Sequence, residues 1–130
     1  MKFSCNQQTL TKALNIVSKA VTIRTTIPIL KGILLNVDDN GILTMSASDL
    51  DLSIEKKIKV DNSTSGSIVV LSKLFGDIIR KLPDETITIE ENDGKVNIKC
   101  SNSEFNIIGL SADEFPNINP TEENEEKILF

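Results

Sequence analysis

An internal duplication constrains the fold of this chain more than any other feature. Residues 1–60 predict a strand, a helix and three more strands, and residues 66–110 predict the same order again. Each half has a hairpin signal after its helix, the tripeptide DNG at residues 39–41 and NDG at residues 92–94. A repeated unit of about fifty residues is typical of pseudo-symmetric stacking rather than of a cleft with one unique site. The duplication therefore favours a shaped binding surface over catalysis.

The composition narrows the possible chemistry. The chain has 130 residues, the usual length of a single domain, and it contains no histidine. Histidine is the side chain best suited to proton transfer near neutral pH. Its absence excludes Ser-His-Asp and Cys-His nucleophile systems and histidine-bearing zinc sites. Chemistry with a metal held by carboxylates alone stays open, so the composition weighs against an enzyme without excluding one.

The cysteines and the hydropathy pattern predict a cytoplasmic protein. Cys5 and Cys100 match no metal-ligand spacing, and both fall in apolar strand patterns. We therefore expect two reduced thiols in the core. No run approaches the roughly 18 apolar residues of a membrane span, and the chain opens directly on a predicted strand, without a signal peptide.

The net charge of −5 hides a concentration of basic residues on the helices. Residues 7–24 and 72–82, the predicted helices with the turn after the first, hold six basic residues and one acidic residue. The rest of the chain holds eight basic and 18 acidic residues. Such a distribution gives the protein two electrostatic faces, of which the basic one suits a polyanion. The alternative is that these basic side chains are simply solvated.

The spacing of apolar residues defines the inner and outer faces of the first helix. Asn6 is the expected N-cap. The inner stripe comprises Leu10, Ala13, Leu14, Val17 and Val21. The outer face carries Gln8, Lys12, Asn15 and Lys19.

The second helix follows the same plan. Ser72 is its expected N-cap, and Pro83 is expected to end it. The inner face comprises Leu74, Phe75, Ile78 and Leu82. The outer face carries Lys73, Asp77 and Arg80.

The strands alternate apolar and polar residues. Residues 50–60 do so with Lys56 as the one exception on the apolar face, and the strands after both hairpin signals repeat the pattern. This alternation is typical of antiparallel sheets with one buried face. Helices that cover one face of such sheets give an α+β domain.

The segment at residues 104–110 departs from this alternation. Phe105 and Ile107 lie on one face and Ile108 and Leu110 on the other, so both faces are apolar. The segment is either an edge strand that pairs with another chain or a strand buried inside the sheet.

Composition changes at the C-terminal end. Residues 117–126 are polar and acidic, as in a linker, and residues 127–130 begin a new apolar run. We expect one domain over residues 1–120, with residues 121–130 as a linker and the truncated start of a second domain. On this interpretation the chain is part of a longer protein.

Two groups of residues suggest chemistry. Asp49, Asp51 and Glu55 carry carboxylates of the kind that hold Mg²⁺ in nucleases, but one extended strand spaces them too far apart to converge. A solvated strand face is the alternative. Arg24 lies in the connection after the basic first helix, where an arginine suits phosphate binding. The alternative is a turn arginine that pairs with a nearby carboxylate.

Five segments, in order along the chain, resemble the N-terminal domain of the bacterial DNA polymerase III beta subunits, the family of replicative sliding clamps. They span essentially residues 1–120 and comprise Met1-Lys2-Phe3, Arg24-Thr25-Thr26-Ile27-Pro28-Ile29-Leu30, Ser48-Asp49-Leu50-Asp51-Leu52, Leu82-Pro83 and Leu110-Ser111-Ala112-Asp113-Glu114-Phe115-Pro116. Any one of them is weakly specific, whereas five in register are a strong match.

The resemblance implies a DNA-clamp fold in a ring of six such domains, three from each subunit of a head-to-tail dimer, with helices lining the hole. Arg24 matches the family's DNA-contacting arginine in this domain. The residues expected to contact duplex DNA are Arg24, Lys73, Lys12, Lys19 and Arg80. Phe105 and Ile107 match edge residues that pack against the other subunit, and we expect Leu74 in the same interface.

The predicted function is that of a non-catalytic processivity factor without cofactor or metal. Its expected partners are double-stranded DNA of any sequence, a second copy of the full-length protein, and the polymerase and clamp loader through later domains absent from this chain. The alternatives are a standalone interaction module of the same fold, which dimerises through Phe105 and Ile107, and a nuclease that uses Asp49, Asp51 and Glu55.

Overall fold

The fold consists of two copies of a strand, a helix and three strands. A computed structural model describes residues 1–21, 28–49 and 52–115. The first copy comprises β1 (Lys2–Asn6), α1 (Gln7–Val17), β2 (Gly32–Val37), β3 (Ile42–Ser48) and β4 (Ser53–Lys59). The second comprises β6 (Gly66–Leu71), α2 (Ser72–Lys81), β7 (Thr86–Asn92), β8 (Lys95–Cys100) and β9 (Ser103–Ile108). The predicted duplication is confirmed.

Short elements connect and flank the two copies. The strand β5 (Asp61–Thr64) lies between them and is exposed along its whole length. The sequence did not predict it, because it has no apolar alternation. Turns of 3₁₀-helix span Ser18–Ala20, Pro28–Lys31 and Ala112–Glu114.

The two sheets exchange their first strands. One sheet has the order β5-β1-β7-β8-β9 and the other β4-β3-β2-β6, and neighbouring strands are antiparallel. Cys5 of β1 therefore lies opposite Ile87 of β7, and Ile33 of β2 lies opposite Val70 of β6. Each sheet joins the opening strand of one repeat to the three-strand meander of the other. Because neither repeat completes a sheet alone, we expect the two halves to fold as one unit.

The helices and both sheets share one hydrophobic core, which confirms the α+β class. The inner faces of α1 and α2 contribute side chains to it alongside residues from both sheets. Its largest fully buried side chains include Phe3, Leu10, Leu14, Ile33, Met45, Phe75 and Ile89. Burying each such side chain contributes roughly 1.5–3 kcal/mol.

The hairpin after β7 has the geometry that its sequence predicts. Asp93 and Gly94 have positive φ angles of 52° and 82°, and Asn92 lies opposite Lys95. This two-residue loop is a type I′ turn, which favours Gly at its second position because both central residues need positive φ.

The helix starts differ from one another. Asn6 caps α1 as predicted, since its Oδ1 accepts hydrogen bonds from the backbone N–H groups of Gln8 at 2.9 Å and Thr9 at 3.4 Å. The prediction that Ser72 caps α2 is wrong. Leu71 occupies the cap position, without a side-chain hydrogen bond, because β6 stays paired with β2 up to the Gly32–Leu71 pair. Ser72 is therefore already the first helical residue.

The inward assignment of Leu74 is also wrong. The buried stripe of α2 follows Ser72, Phe75, Gly76 and Ile79 at spacings of three and four residues. Leu74 lies beside this stripe and is 45% exposed.

Both cysteines are free and buried, as predicted. Burial, assisted by the nearby Asp61 carboxylate, raises the pKa of the Cys5 thiol to about 11. Burial, with a smaller effect of Glu85, also raises the pKa of Cys100. None of the helices in the described ranges is long and apolar enough to cross a membrane.

Candidate nucleic-acid interface

The outer face of α1 carries the polar residues that the helical period predicts. Burial of Leu10, Ala13, Leu14 and Val17 turns the opposite face to solvent. The exposed side chains there include Gln8, Lys12, Asn15 and Lys19. Lys19 lies beyond the α-helix proper, in the 3₁₀ turn that continues it.

The outer face of α2 is also basic. Lys73, Asp77, Arg80 and Lys81 are all exposed, as the period of the buried stripe requires. Lys73 Nζ lies 3.9 Å from Asp77 Oδ2 across one helical turn, and both side chains are at least half exposed. Exposed ion pairs of this kind contribute about 0–1 kcal/mol, so this pair leaves Lys73 available to an anion.

Contacts between the helices join these two faces into one surface, which we call the basic helix face (Lys12, Asn15, Lys19, Lys73, Asp77, Arg80 and Lys81). In the interior, Gln7 Nε2 donates a hydrogen bond of 2.8 Å to the carbonyl oxygen of Ile79. At the surface, Arg80 Nε donates to Asn15 Oδ1 at 3.1 Å. The surface has five basic side chains and one acidic side chain. A surface with this charge is expected where a protein contacts a phosphate backbone without reading its sequence.

Lys31 adds a basic residue that the sequence analysis did not single out. It lies in the 3₁₀ turn before β2 and is exposed, whereas the preceding Ile29 and Leu30 are buried. An open groove beside the basic helix face is lined by Lys31 together with Lys73, Leu74 and Arg80. The sequence signal that could have identified Lys31 is its positive charge directly after two apolar residues.

The predicted contact residue Arg24 lies outside the described residues, which break between residues 21 and 28. The other four predicted DNA contacts, Lys12, Lys19, Lys73 and Arg80, all lie on the basic helix face. The structure thus brings together on one surface four of the five residues.

The predicted subunit-interface residues fall in two environments. β9 is an edge strand, as one of the two sequence interpretations proposed. Phe105 is 41% exposed and Ile108 is 69% exposed, whereas Ile107 is 8% exposed and belongs to the core of this domain. The edge therefore presents Phe105 and Ile108 to solvent, and Ile107 anchors the strand from inside.

The carboxylates considered for metal binding have different environments. Asp49 Oδ1 accepts a hydrogen bond of 2.6 Å from the Leu52 backbone N–H, at the β3–β4 connection. Glu55 is exposed on β4, and Asp51 lies outside the described residues. Within the described ranges, no group of three His, Cys, Asp or Glu side chains is placed to hold a metal ion.

Comparisons with known proteins agree with this architecture. The family described as "DNA polymerase III beta subunit, N-terminal domain" matches residues 1–119. The chain is 40% identical to the "Beta sliding clamp" of Halalkalibacterium halodurans, over 95% of this chain and 35% of that protein. It is also 40% identical to the Vibrio harveyi "Beta sliding clamp", over 91% of this chain and 82% of that sequence.

A solved structure gives the same result. The "DNA polymerase sliding clamp from Bacillus subtilis" superimposes with a TM-score of 0.87 at 37% identity, covering 96% of this chain and 35% of that one. The chain thus spans about a third of the length of the first curated relatives that it matches. The duplicated fold, the basic helix face and these matches agree, and the chain belongs to the DNA polymerase III beta subunit family, whose N-terminal domain it matches.

Proposed function

We propose that this chain is the first domain of a sliding clamp, a non-catalytic processivity factor that encircles duplex DNA and tethers the replicative polymerase to it. The observation that carries this proposal is the basic helix face. It gathers Lys12, Lys19, Lys73 and Arg80 on one surface of a chain whose net charge is −5. The names of the similar proteins, beta sliding clamps, support the same function.

The proposed contact is weak and independent of DNA sequence. Lysine and arginine on a helix face meet phosphate oxygens, which carry no sequence information. Each exposed contact contributes little, so the duplex passes from one register to the next over a low barrier. Arg24 is proposed to join this surface.

The ring requires further domains. We propose that residues 1–120 form one of three similar domains in each subunit of a head-to-tail dimer, and that residues 121–130 lead into the second. The β9 edge, with Phe105 and Ile108 exposed, is the proposed subunit contact, supported from inside by Ile107, and the exposed Leu74 of α2 is proposed for the same interface. Polymerase and clamp loader are proposed to bind the later domains.

Two pairs of lysine substitutions test the DNA-binding face. Replacing Lys12 and Lys19 together by Ala removes two charges from the basic helix face. Replacing Lys57 and Lys95 removes two exposed charges from the sheets. Both variants carry the same net charge, so they separate a local contact from a general electrostatic effect.

The measurement is the affinity of this chain for a labelled random-sequence duplex as the salt concentration varies. For the Lys12/Lys19 variant we expect weaker binding and a salt dependence of log K that is shallower by about 0.9 per lost contact. The Lys57/Lys95 variant should bind nearly as the unsubstituted chain does. Equal losses in both variants would show that the helix face makes no specific contact.

The exposed β9 edge favours one alternative, a standalone interaction module. In that case this chain by itself forms a stable dimer through Phe105, and it does so without DNA. Sedimentation of the 130-residue chain separates the two proposals. A monomer supports the clamp-domain assignment, and a dimer that Phe105→Asp dissociates supports the module.

A further inference from the structure

Gly76 occupies an unusual place for a glycine. It is the fifth residue of the ten-residue helix α2, in the helix interior, and it has an ordinary helical conformation. Glycine there is unfavourable compared with alanine, because it loses more conformational freedom on folding. No turn or positive φ angle requires it, so a different reason must account for its presence.

The Arg80 side chain fills the space that a side chain at position 76 would occupy. A Cβ atom placed on Gly76 would lie 2.6 Å from Arg80 Nη1, 3.2 Å from Cζ and 3.3 Å from Nη2. These three guanidinium atoms are the nearest neighbours of that position outside the adjoining helix backbone. Side chains on a helix lean toward its N-terminus, so Arg80 lies back over the residue one turn earlier. Glycine at position 76 lets the guanidinium lie directly against the helix.

Asn15 fixes the other end of this arrangement. Its Oδ1 accepts the Arg80 Nε–H at 3.1 Å, which holds the guanidinium across the junction between α1 and α2. Among the hydrogen bonds of the described residues, none occupies the two terminal nitrogens, whose four N–H groups are available to an anion. Because the Asn15 amide is neutral, it orients the guanidinium without cancelling its charge, as a carboxylate would.

We propose that Gly76 and Asn15 are positioning residues that hold Arg80 in place, ready to contact a backbone phosphate of duplex DNA. This inference rests on the proposed function of the basic helix face and adds a specific mechanism to it. A free arginine side chain loses substantial rotamer entropy on binding, and an arginine already held in one orientation loses less. The unfavourable glycine in α2 is thereby explained by the orientation that it allows.

The positioning is tested without DNA, by NMR of the Arg80 Nε–H group. We expect a distinct, slowly exchanging signal in the unsubstituted chain, and faster exchange in both Gly76→Ala and Asn15→Ala. Gly76→Ala should fold with an unchanged or higher unfolding midpoint, because alanine favours the helix and the displaced atoms belong to a flexible side chain. An Arg80 signal that Gly76→Ala leaves unchanged would overturn the inference.

The effect on binding is tested with Gly76→Ala, Arg80→Ala and the double variant. Arg80→Ala should weaken binding to a random-sequence duplex by about two- to fivefold at low salt, the size of one exposed ionic contact. Gly76→Ala alone should weaken it by a smaller factor, and should add nothing when Arg80 is already alanine. Thr9→Ala, on the exposed surface of α1, is the control for improved helix propensity and should bind normally.

These outcomes separate the inference from the proposed function. If Arg80→Ala weakens binding but Gly76→Ala does not, the positioning role is refuted and the basic helix face stands. If Arg80→Ala and the Lys12/Lys19 variant both bind like the unsubstituted chain, the proposed DNA contact itself is refuted. If Gly76→Ala weakens binding by the same factor in the unsubstituted chain and in Arg80→Ala, the glycine does not act through Arg80 and the inference is again overturned.

Discussion

Single side chains determine where the helices begin, and Asn6 is the clearest case. Its Oδ1 accepts from two otherwise unpaired N–H groups of the first turn of α1. Its Nδ2 donates to Asp84 Oδ1 at 3.1 Å, which links the start of α1 to the segment after α2. Asn6 therefore stabilises both the helix and the contact between the two repeats.

Replacing Asn6 by Ala should lower the free energy of unfolding by about 1 kcal/mol, the usual cost of a lost N-cap. Asn6→Ser keeps a capping oxygen and should lose clearly less. Urea unfolding of both variants, followed by circular dichroism, makes the comparison. Equal losses for Ala and Ser would mean that capping is not the source of the stabilisation.

Cys5 makes the stability depend on pH in the alkaline range. Its pKa rises from an ordinary 9.0 to about 11 on folding, so the native chain holds this proton more tightly than the unfolded chain. The stabilisation that the raised pKa of Cys5 contributes is fully present below pH 9 and is lost as the pH rises toward 11.

The stability advantage of the native chain over Cys5→Ala should therefore shrink between pH 9 and pH 11. Every other ionisable group is the same in both proteins, so the difference isolates Cys5. Denaturant unfolding at several pH values gives the two curves. Parallel curves across the window would contradict the shifted pKa.

Residue-level features were predictable where they depend on local chemistry. Asn6 follows from its position before an apolar stripe, and the exposure of Lys12 and Lys19 follows from the helical period of that stripe. Ser72 and Leu74 were wrongly assigned because tertiary structure determines both the start of α2 and its buried face. Strand pairing keeps Leu71 extended, and the buried side of α2 runs through Phe75. Arg80 was predicted on the outer face, but nothing local indicated its contact with Asn15.

At the scale of elements, β9 combines an anchored side with an open side. Phe105 and Ile107 share the inner face of the strand, since they lie opposite Ile98 and Val96. Only Ile107 is covered, whereas Phe105 stays 41% exposed. The alternation predicted these faces, but not which of the two residues the core would cover.

This difference predicts opposite effects of the same substitution. In the complete protein, Phe105→Asp should abolish self-association and leave the stability of this domain nearly unchanged. Ile107→Asp should unfold the domain, because it buries a charge without a partner, at a cost of several kcal/mol. Thermal unfolding of this chain and sedimentation of the complete protein measure the two effects. A dimer that survives Phe105→Asp would exclude this edge as the contact.

At the scale of the whole molecule, the duplication places two helices side by side under two sheets. The order of elements was predictable, because each half carries the same apolar periods and turn signals. The exchange of β1 and β6 between the sheets was not, since periodicity gives no information on which strands pair. Nor did the sequence show that the two helix faces join through Gln7 and Asn15.

We propose that the complete protein stays on DNA because it surrounds the duplex, while the basic helix face contacts the phosphates only weakly. The most direct test loads the complete protein onto a nicked circular duplex and raises the salt until phosphate contacts are screened. If the protein encircles DNA, it will remain on the circle and leave once the DNA is cut at one site. Equal loss from circular and linear DNA would contradict it, because contact affinity alone would then explain the binding.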